Sequence, residues 1–393
     1  MSYSGAMTND DSKAVKHVEQ MLGDAIRATA SDIHIEPMFD GLRIRYRVDG
    51  ILHDCPKLDS TLAASIISRF KVLGNVDITE KRIPQDGQFR FMCDKRQVDI
   101  RIATFPALHG EKMVIRILDR AQIALHLDQL GMTGDLVTHI RSLMHRNQGF
   151  FLVTGPTGSG KTTTLYAALQ ELNSPERHIV TLEDPVEYDL QGITQGRINP
   201  TIGFTFARGI RALLRQDPDI VMIGEIRDKE TAQTAIEAAL TGHMVLSTLH
   251  TNDAPSVIAR LLDMGIDPFL MSAALTGVLA QRLARTICSA CRIAYQPSAH
   301  ERAQCQVLGL EVDVLFKGQG CQVCKGRGYK GRIGIFELMV VHDTLRELMV
   351  MRGSLDAVRD AAVHLGMIRL MQDGYAKMLQ GTITLQELLR VVV

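Results

Sequence analysis

Residues 155–162 read Gly-Pro-Thr-Gly-Ser-Gly-Lys-Thr, filling every fixed position of G-x-x-x-x-G-K-[ST]. Glycines there let the backbone wrap closely round a phosphate with its N–H groups turned inward. The start of a following helix adds a favourable dipole for an anion. The chemistry is triphosphate binding. Lys161 reaches the β- and γ-phosphates, and the Thr162 hydroxyl ligates Mg²⁺. The cradle is assigned to Gly155, Pro156, Thr157, Gly158, Ser159, Gly160, Lys161, Thr162 and Thr163.

Acids and histidines at the ends of apolar runs are the next candidates. Ile220–Ile223 runs through Gly224 into Glu225. A strand-end acid beside a phosphate loop can hold Mg²⁺ through water or polarise the attacking water. Ile179–Leu182 ends in Glu183 and Asp184, one of which could serve as general base. His243 and His250 bracket Met244–Leu249 and are candidates for bonding phosphate or an acidic partner, or for ordinary structural roles.

Cys288-x-x-Cys291 and Cys321-x-x-Cys324 supply four thiolates in two pairs, the donor set of a closed tetrahedral Zn²⁺ site that folds a segment rather than catalyses. Disulfides or free thiols are the alternatives; a reducing compartment favours metal. Cys55, Cys93 and Cys305 show no partner pattern. Arg43, Arg45, Arg47, Arg101 and Arg116 lie on strand-like segments. They are either a solvated strand face or a source of charge for a phosphoryl transition state.

The surrounding pattern predicts the elements that carry these groups. Val15–Thr29 has helical apolar spacing, Leu42–Val48 alternates as a strand, and Asp49-Gly50 marks a hairpin. A helix near Ser60–Leu73 and strands at Gln88–Cys93, Gln97–Thr104 and Lys112–Leu118 complete a small α+β domain over 12–119, with an antiparallel sheet. Residues 1–11 are set aside as a disordered tail or cloning remnant, and 120–128 as a linker. From 129 to 393, apolar strands alternate with helices, the signature of a parallel sheet covered on both faces. Residues 286–336 form a tetracysteine insert. The region 337–393 is helical, with helices at Asp343–Met351, Gly366–Leu379 and Leu385–Val392.

The 393 residues suit two or three domains, and 46% hydrophobic with 22% charged residues is an ordinary globular balance. The 44 basic residues match 44 acidic ones, which gives no general attraction to nucleic acid. No apolar run approaches the roughly 18 residues of a membrane span, and the polar N-terminus lacks a signal layout. A cytoplasmic protein is expected.

Taken together, these motifs resemble the type II secretion and type IV pilus assembly ATPases, within the wider traffic-ATPase (secretion NTPase) family. Further matches are Ala30-Ser-Asp-Ile-His-Ile-Glu36, Arg45-Tyr-Arg-Val-Asp-Gly50, Arg82-Ile-Pro-Gln-Asp-Gly87, and Arg101, Pro106, Gly110-Glu111 and Arg116. Thr181–Tyr188, Asp217–Asp228 and Thr241–His250 match as well. The resemblance implies an α/β fold: a RecA-like P-loop ATPase domain preceded by a smaller PAS-like α+β domain. It also implies a homo-hexamer with nucleotide between the two domains of a subunit. Glu183 and Asp184 then fall in an aspartate box, Glu225 in the second nucleotide motif, and His243 and His250 in a histidine box. Arg101 and Arg116 match arginines expected on nucleotide phosphates. The four cysteines point to the zinc-containing assembly and secretion branch. The implied partners are an inner-membrane platform and membrane-recruitment proteins, with ATP, Mg²⁺ and Zn²⁺ as ligands and peripheral association with the inner membrane.

Family members usually begin with a further N-terminal domain; this chain starts almost at the second, as a truncated or a short member would. The expected function is a motor ATPase assembling pilin-like subunits for type II secretion or type IV pilus extension. The alternatives are a DNA-uptake pilus ATPase, a nucleotide-binding scaffold with little turnover, and a nucleic-acid translocase.

Overall fold

The computed structural model describes residues 9–119 and 126–392. The chain divides into two compact units, with the division at Ile123 and Ala124. Most of the expected tail and linker lies outside the described residues.

The first unit runs α1 (Asn9–Arg27), β1 (Ala30–Met38), β2 (Gly41–Val48), β3 (Ile51–Asp54), α2 (Ala63–Leu73), β4 (Asp86–Cys93), β5 (Arg96–Ala107) and β6 (Gly110–Leu118). Its strands form an antiparallel sheet in the order β3-β2-β1-β6-β5-β4. Strict alternation puts Ile33, Ile35, Ile100, Ile102, Met113 and Ile115 in a core shared with Val18 and Leu22 of α1 and Ile66 and Phe70 of α2. Each such side chain contributes about 1.5–3 kcal/mol by leaving water. α1 starts at Asn9, so the tail expected over 1–11 is too long by its last residues; the helical spacing continues past the polar Asn9-Asp10-Asp11.

The second unit opens with α3 (Gly134–Met144), β7 (Gly149–Thr154), α4 (Lys161–Leu172), β8 (Ile179–Glu183), β9 (Thr194–Arg197), α5 (Phe206–Leu213), β10 (Ile220–Ile223), α6 (Lys229–Leu240) and β11 (Met244–Leu249). It continues through α7 (Ser256–Asp263), α8 (Pro268–Ala274), β12 (Leu275–Ile287), β13 (Arg292–Tyr295), α9 (Ala299–Val307), β14 (Leu315–Gly318) and β15 (Tyr329–Val340). It closes with α10 (Asp343–Val350), α11 (Leu355–His364), α12 (Leu370–Leu379) and α13 (Leu385–Val392).

Seven strands form its main sheet in the order β15-β12-β7-β11-β10-β8-β9. All neighbours are parallel except the β12–β15 pair at one edge. β7, β10 and β11 are buried along their whole length, as strands covered on both faces must be.

Three expected boundaries change. Leu127 is fully buried in the second unit's core and its N–H donates to Glu171, while Asp128 pairs with Arg141 at 2.6 Å, so 127–128 are not linker. The insert is shorter than 286–336: β12 runs to Ile287 and β15 starts at Tyr329, and both belong to the main sheet. The helix expected from Gly366 starts at Leu370, because Gly366 takes a φ of 97° in the preceding turn.

Candidate nucleotide site and cysteine cluster

Parallel strands put their carboxyl ends on one edge of the sheet, where ligands of open α/β folds sit. β7 delivers the phosphate loop there, and α4 leaves from it. Gly155, Gly158 and Gly160 have φ values of 147°, 78° and 91°, the left-handed region that glycine tolerates. A Cβ on Gly155 would lie 2.5 Å from the carbonyl oxygen of Gln281, so this position excludes a side chain twice over. Pro156, Thr157 and Gly158 are exposed at the loop crest, Ser159 is buried beneath it, and Thr162 is exposed in the first turn of α4. Thr163 is half-buried beside it.

Lys161 folds back over the loop. Its Nζ donates to the carbonyls of Gly155 at 2.9 Å and Pro156 at 3.1 Å. Burial pulls its ammonium down to about 8, with Glu225 opposing the shift and Arg282 adding to it.

Glu225 follows β10 at the same edge. Hydrogen bonds fix its backbone: the Thr248 hydroxyl donates to Gly224 O at 2.7 Å, and the Ile226 N–H donates to Thr248 O at 3.0 Å. One carboxylate oxygen accepts from Arg227 Nη2 at 2.6 Å, and the other lies 3.8 Å from His250 Nε2. The Arg227 guanidinium is held above its ordinary value by Glu225 first and more weakly by Asp184, which is exposed nearby. His250 is pushed below the usual imidazole value by burial, then by Lys161. Its turn is pinned to the phosphate-loop strand, where the Thr251 N–H donates to Thr154 Oγ1 at 2.9 Å.

Lys161, Glu225 and His250 thus converge, whereas two expected site residues do not join them. Glu183 is buried, and its carboxylate accepts from the Tyr166 hydroxyl, from Thr181 Oγ1 at 2.5 Å and from Gln195 Nε2 at 3.0 Å. Three donors and burial leave it little capacity for water. His243 precedes β11, whose first residue pairs with Gly149 and whose last pairs with Thr154. Six strand residues at roughly 3.3 Å each put it on the order of 20 Å from the edge that carries the loop. There its Nδ1 lies 3.0 Å from Ala238 O, so its assignment to nucleotide binding is corrected to a structural one.

In the first unit, Arg101 and Arg116 are direct cross-strand partners, so they stand side by side on the face opposite the helices. Arg116 pairs with Asp32 at 3.3 Å, Arg47 with Asp32 at 3.6 Å, and Arg45 bidentately with Glu36. Arg43 pairs with Asp54. This face sets arginines among Asp32, Glu36 and Asp54.

The four cysteines assemble where the insert meets the main sheet. Their sulfurs all lie within 4.8 Å of one another, with Cys288–Cys321 at 3.9 Å, Cys291–Cys324 at 3.8 Å and Cys321–Cys324 at 3.7 Å. Thiolates about 2.3 Å from a central zinc would be about 3.8 Å apart, so the donor set and its spacing fit that ion. Burial would raise the Cys324 thiol, but the N–H groups of Cys321 and Gly328, each 3.2 Å away, bring it down to about 6.

Gln281 was not foreseen. It is buried on β12, its Nε2 donates to Ser159 O at 2.7 Å, and its Oε1 accepts from Thr164 Oγ1 at 2.8 Å. The available signal was a Gln-Arg pair following the apolar stretch 278–280.

A profile of the family described as "Type II/IV secretion system protein" matches residues 7–390. The chain belongs to that family. It is 48% identical over 384 residues to the "Type II secretion system ATPase E" of Vibrio cholerae, spanning 98% of this chain and 76% of that protein. It is 44% identical over 382 residues to the "Type IV pilus assembly ATPase PilB" of Thermus thermophilus, spanning 97% of this chain and 43% of that protein. Among solved structures, the pilus retraction motor PilT with bound ADP superposes with a TM-score of 0.62 at 26% identity, covering 95% of this chain and 96% of that one. The Legionella pneumophila ATPase DotB superposes at 0.69 and 21% identity over 95% of each chain, which shares the fold. No helix among the described residues is long and apolar enough to cross a membrane.

Proposed function

We propose that this chain is a motor ATPase that couples ATP hydrolysis to assembly of pilin-like subunits, in type II secretion or type IV pilus extension. The observation that carries the reading is the convergence of Lys161, Glu225 and His250 around a loop whose three glycines hold left-handed conformations. Backbone N–H groups of Thr157, Gly158, Ser159 and Gly160 and the first turn of α4 bind phosphate, and Lys161 exchanges its two loop carbonyls for phosphate oxygens. The Thr162 hydroxyl is placed to hold Mg²⁺, which when bound neutralises phosphate charge.

Glu225 is the better general base of the two acids, since one of its oxygens faces His250 at 3.8 Å while Glu183 is occupied by three donors. Arg101 and Arg116 would bring positive charge to a phosphate, Arg116 by exchanging its pairing with Asp32. The four cysteines hold zinc as a structural cross-link. The chain acts as a homo-hexamer, reaching the membrane through an inner-membrane platform and recruitment proteins.

Phosphate release by the purified chain tests the enzymatic core. Lys161→Ala abolishes turnover, and Glu225→Gln lowers kcat at least ~100-fold while ATP still binds. Near-wild-type turnover in either variant refutes the assignment of that residue, and stimulation by nucleic acid would favour a translocase instead.

A further inference from the structure

We infer that Gln281 is a positioning residue that aims the Gly160 N–H into the phosphate cradle. The inference rests on the phosphate-loop reading above and adds a residue to it from a distant strand. β12 lies beside β7, and Gln281 sits on it directly beneath the loop, with its amide buried. One end of that amide donates to the Ser159 carbonyl at 2.7 Å, and the other accepts from the Thr164 hydroxyl at 2.8 Å.

A trans peptide is planar, so its C=O and N–H point in opposite directions. Ser159 C=O and Gly160 N–H belong to one peptide. Holding the carbonyl down on the β12 side therefore turns the N–H away from β12, towards the exposed crest of Pro156, Thr157 and Gly158. The chain leaves this peptide through Gly160 with a φ of 91°, which glycine tolerates.

The same side chain closes the peptide's downstream side. Thr164 N–H donates to Gly160 O at 3.1 Å while its hydroxyl is taken by Gln281, so the loop's last peptide and the first turn of α4 share one anchor. At the loop's other end, the backbone carbonyl of Gln281 occupies the space that a side chain on Gly155 would need. One residue thus touches the loop where it leaves β7 and where it enters α4.

The test is titration of the full chain with a fluorescent ADP analogue and Mg²⁺, together with ATPase kinetics. Gln281→Leu removes the neutral hydrogen bond that holds Ser159 C=O, frees the Ser159–Gly160 peptide to rotate and so costs the charge-assisted hydrogen bond from Gly160 N–H to phosphate. Kd and KM then rise about tenfold, while kcat at saturation stays within about threefold. Because this variant also strands the Thr164 hydroxyl, Gln281→Leu/Thr164→Val is made alongside. The double variant recovers the unfolding midpoint but keeps the weak Kd, and Thr164→Val alone binds within about twofold of wild type. Wild-type affinity in Gln281→Leu overturns the inference, as does a double variant that regains affinity along with stability. Failure of the wild-type chain to bind the analogue would instead strike the phosphate-loop reading itself.

Discussion

Raising the pH should weaken nucleotide binding through Lys161 alone, by an amount the structure sets. Without ligand, burial holds its ammonium down to about 8, well below an ordinary lysine. Bound phosphates favour the charged form, so the value in the complex is higher. Between those two values the free site is neutral and the occupied site is charged; binding takes up a proton, and affinity falls as pH rises. Below about pH 8 both states are protonated and this dependence vanishes. At pH 9 the expected loss is up to about tenfold, trimmed by solvent because Lys161 is not fully buried. Calorimetric titration with ADP and Mg²⁺ in buffers of different ionisation enthalpy reads both the affinity and the proton count. Lys161→Arg, charged throughout, should flatten the profile. Flat wild-type affinity from pH 7 to 9.5, or net proton release at pH 9, would refute the reasoning.

Elemental analysis should find one zinc per chain, and strong chelation should lower the unfolding midpoint and expose 288–328 to proteolysis; a metal-free chain with an intact insert contradicts the site. In the first unit, Lys71 and Glu111 form a buried ion pair at 2.6 Å, with Lys71 also donating to Glu80 O. Lys71→Met strands the Glu111 charge and should cost about 3–5 kcal/mol in denaturant unfolding, much of it recovered in Lys71→Met/Glu111→Leu. A loss under about 1 kcal/mol in the single variant would show that the carboxylate finds another partner or water.

What was legible in the sequence was whatever local backbone chemistry dictates. Gly155 and Gly160 answer to φ values and Gly155 to a close approach as well, and the two cysteine pairs come together in one cluster. His243 shows where spacing was available but misapplied. Residues at the two ends of one strand cannot serve one site, and the apolar Met244–Leu249 between the two histidines already said so. Glu183 was harder. Its neighbours Tyr166 and Gln195 come from α4 and β9, and nothing in the run Ile179–Asp184 announces that the strand's last carboxylate will be taken by them.

β12 was the least legible element, because its signal is mixed: apolar residues interrupted by Gln281, Arg282 and Arg285. The structure explains each interruption. Gln281 anchors the phosphate loop. Arg282 donates to Asn252 O at 2.7 Å, two residues past His250, and to Val391 O at 3.1 Å in α13. Arg285 pairs at 2.7 Å with the buried Glu387, which Arg390 also binds. Burial alone would raise that carboxyl, yet the two guanidiniums hold it at about 2, so the pair stays ionised across any working pH. The strand then ends at Ile287, whose N–H donates to Thr382 O, one residue before Cys288, the first cysteine of the cluster. An apolar strand would have packed as well against β7 and β15. Gln281, Arg282 and Arg285 instead tie the loop, the histidine turn and the last helix to one element, and Gln281, hydrogen-bonded at both ends of its buried amide, makes its tie stiff.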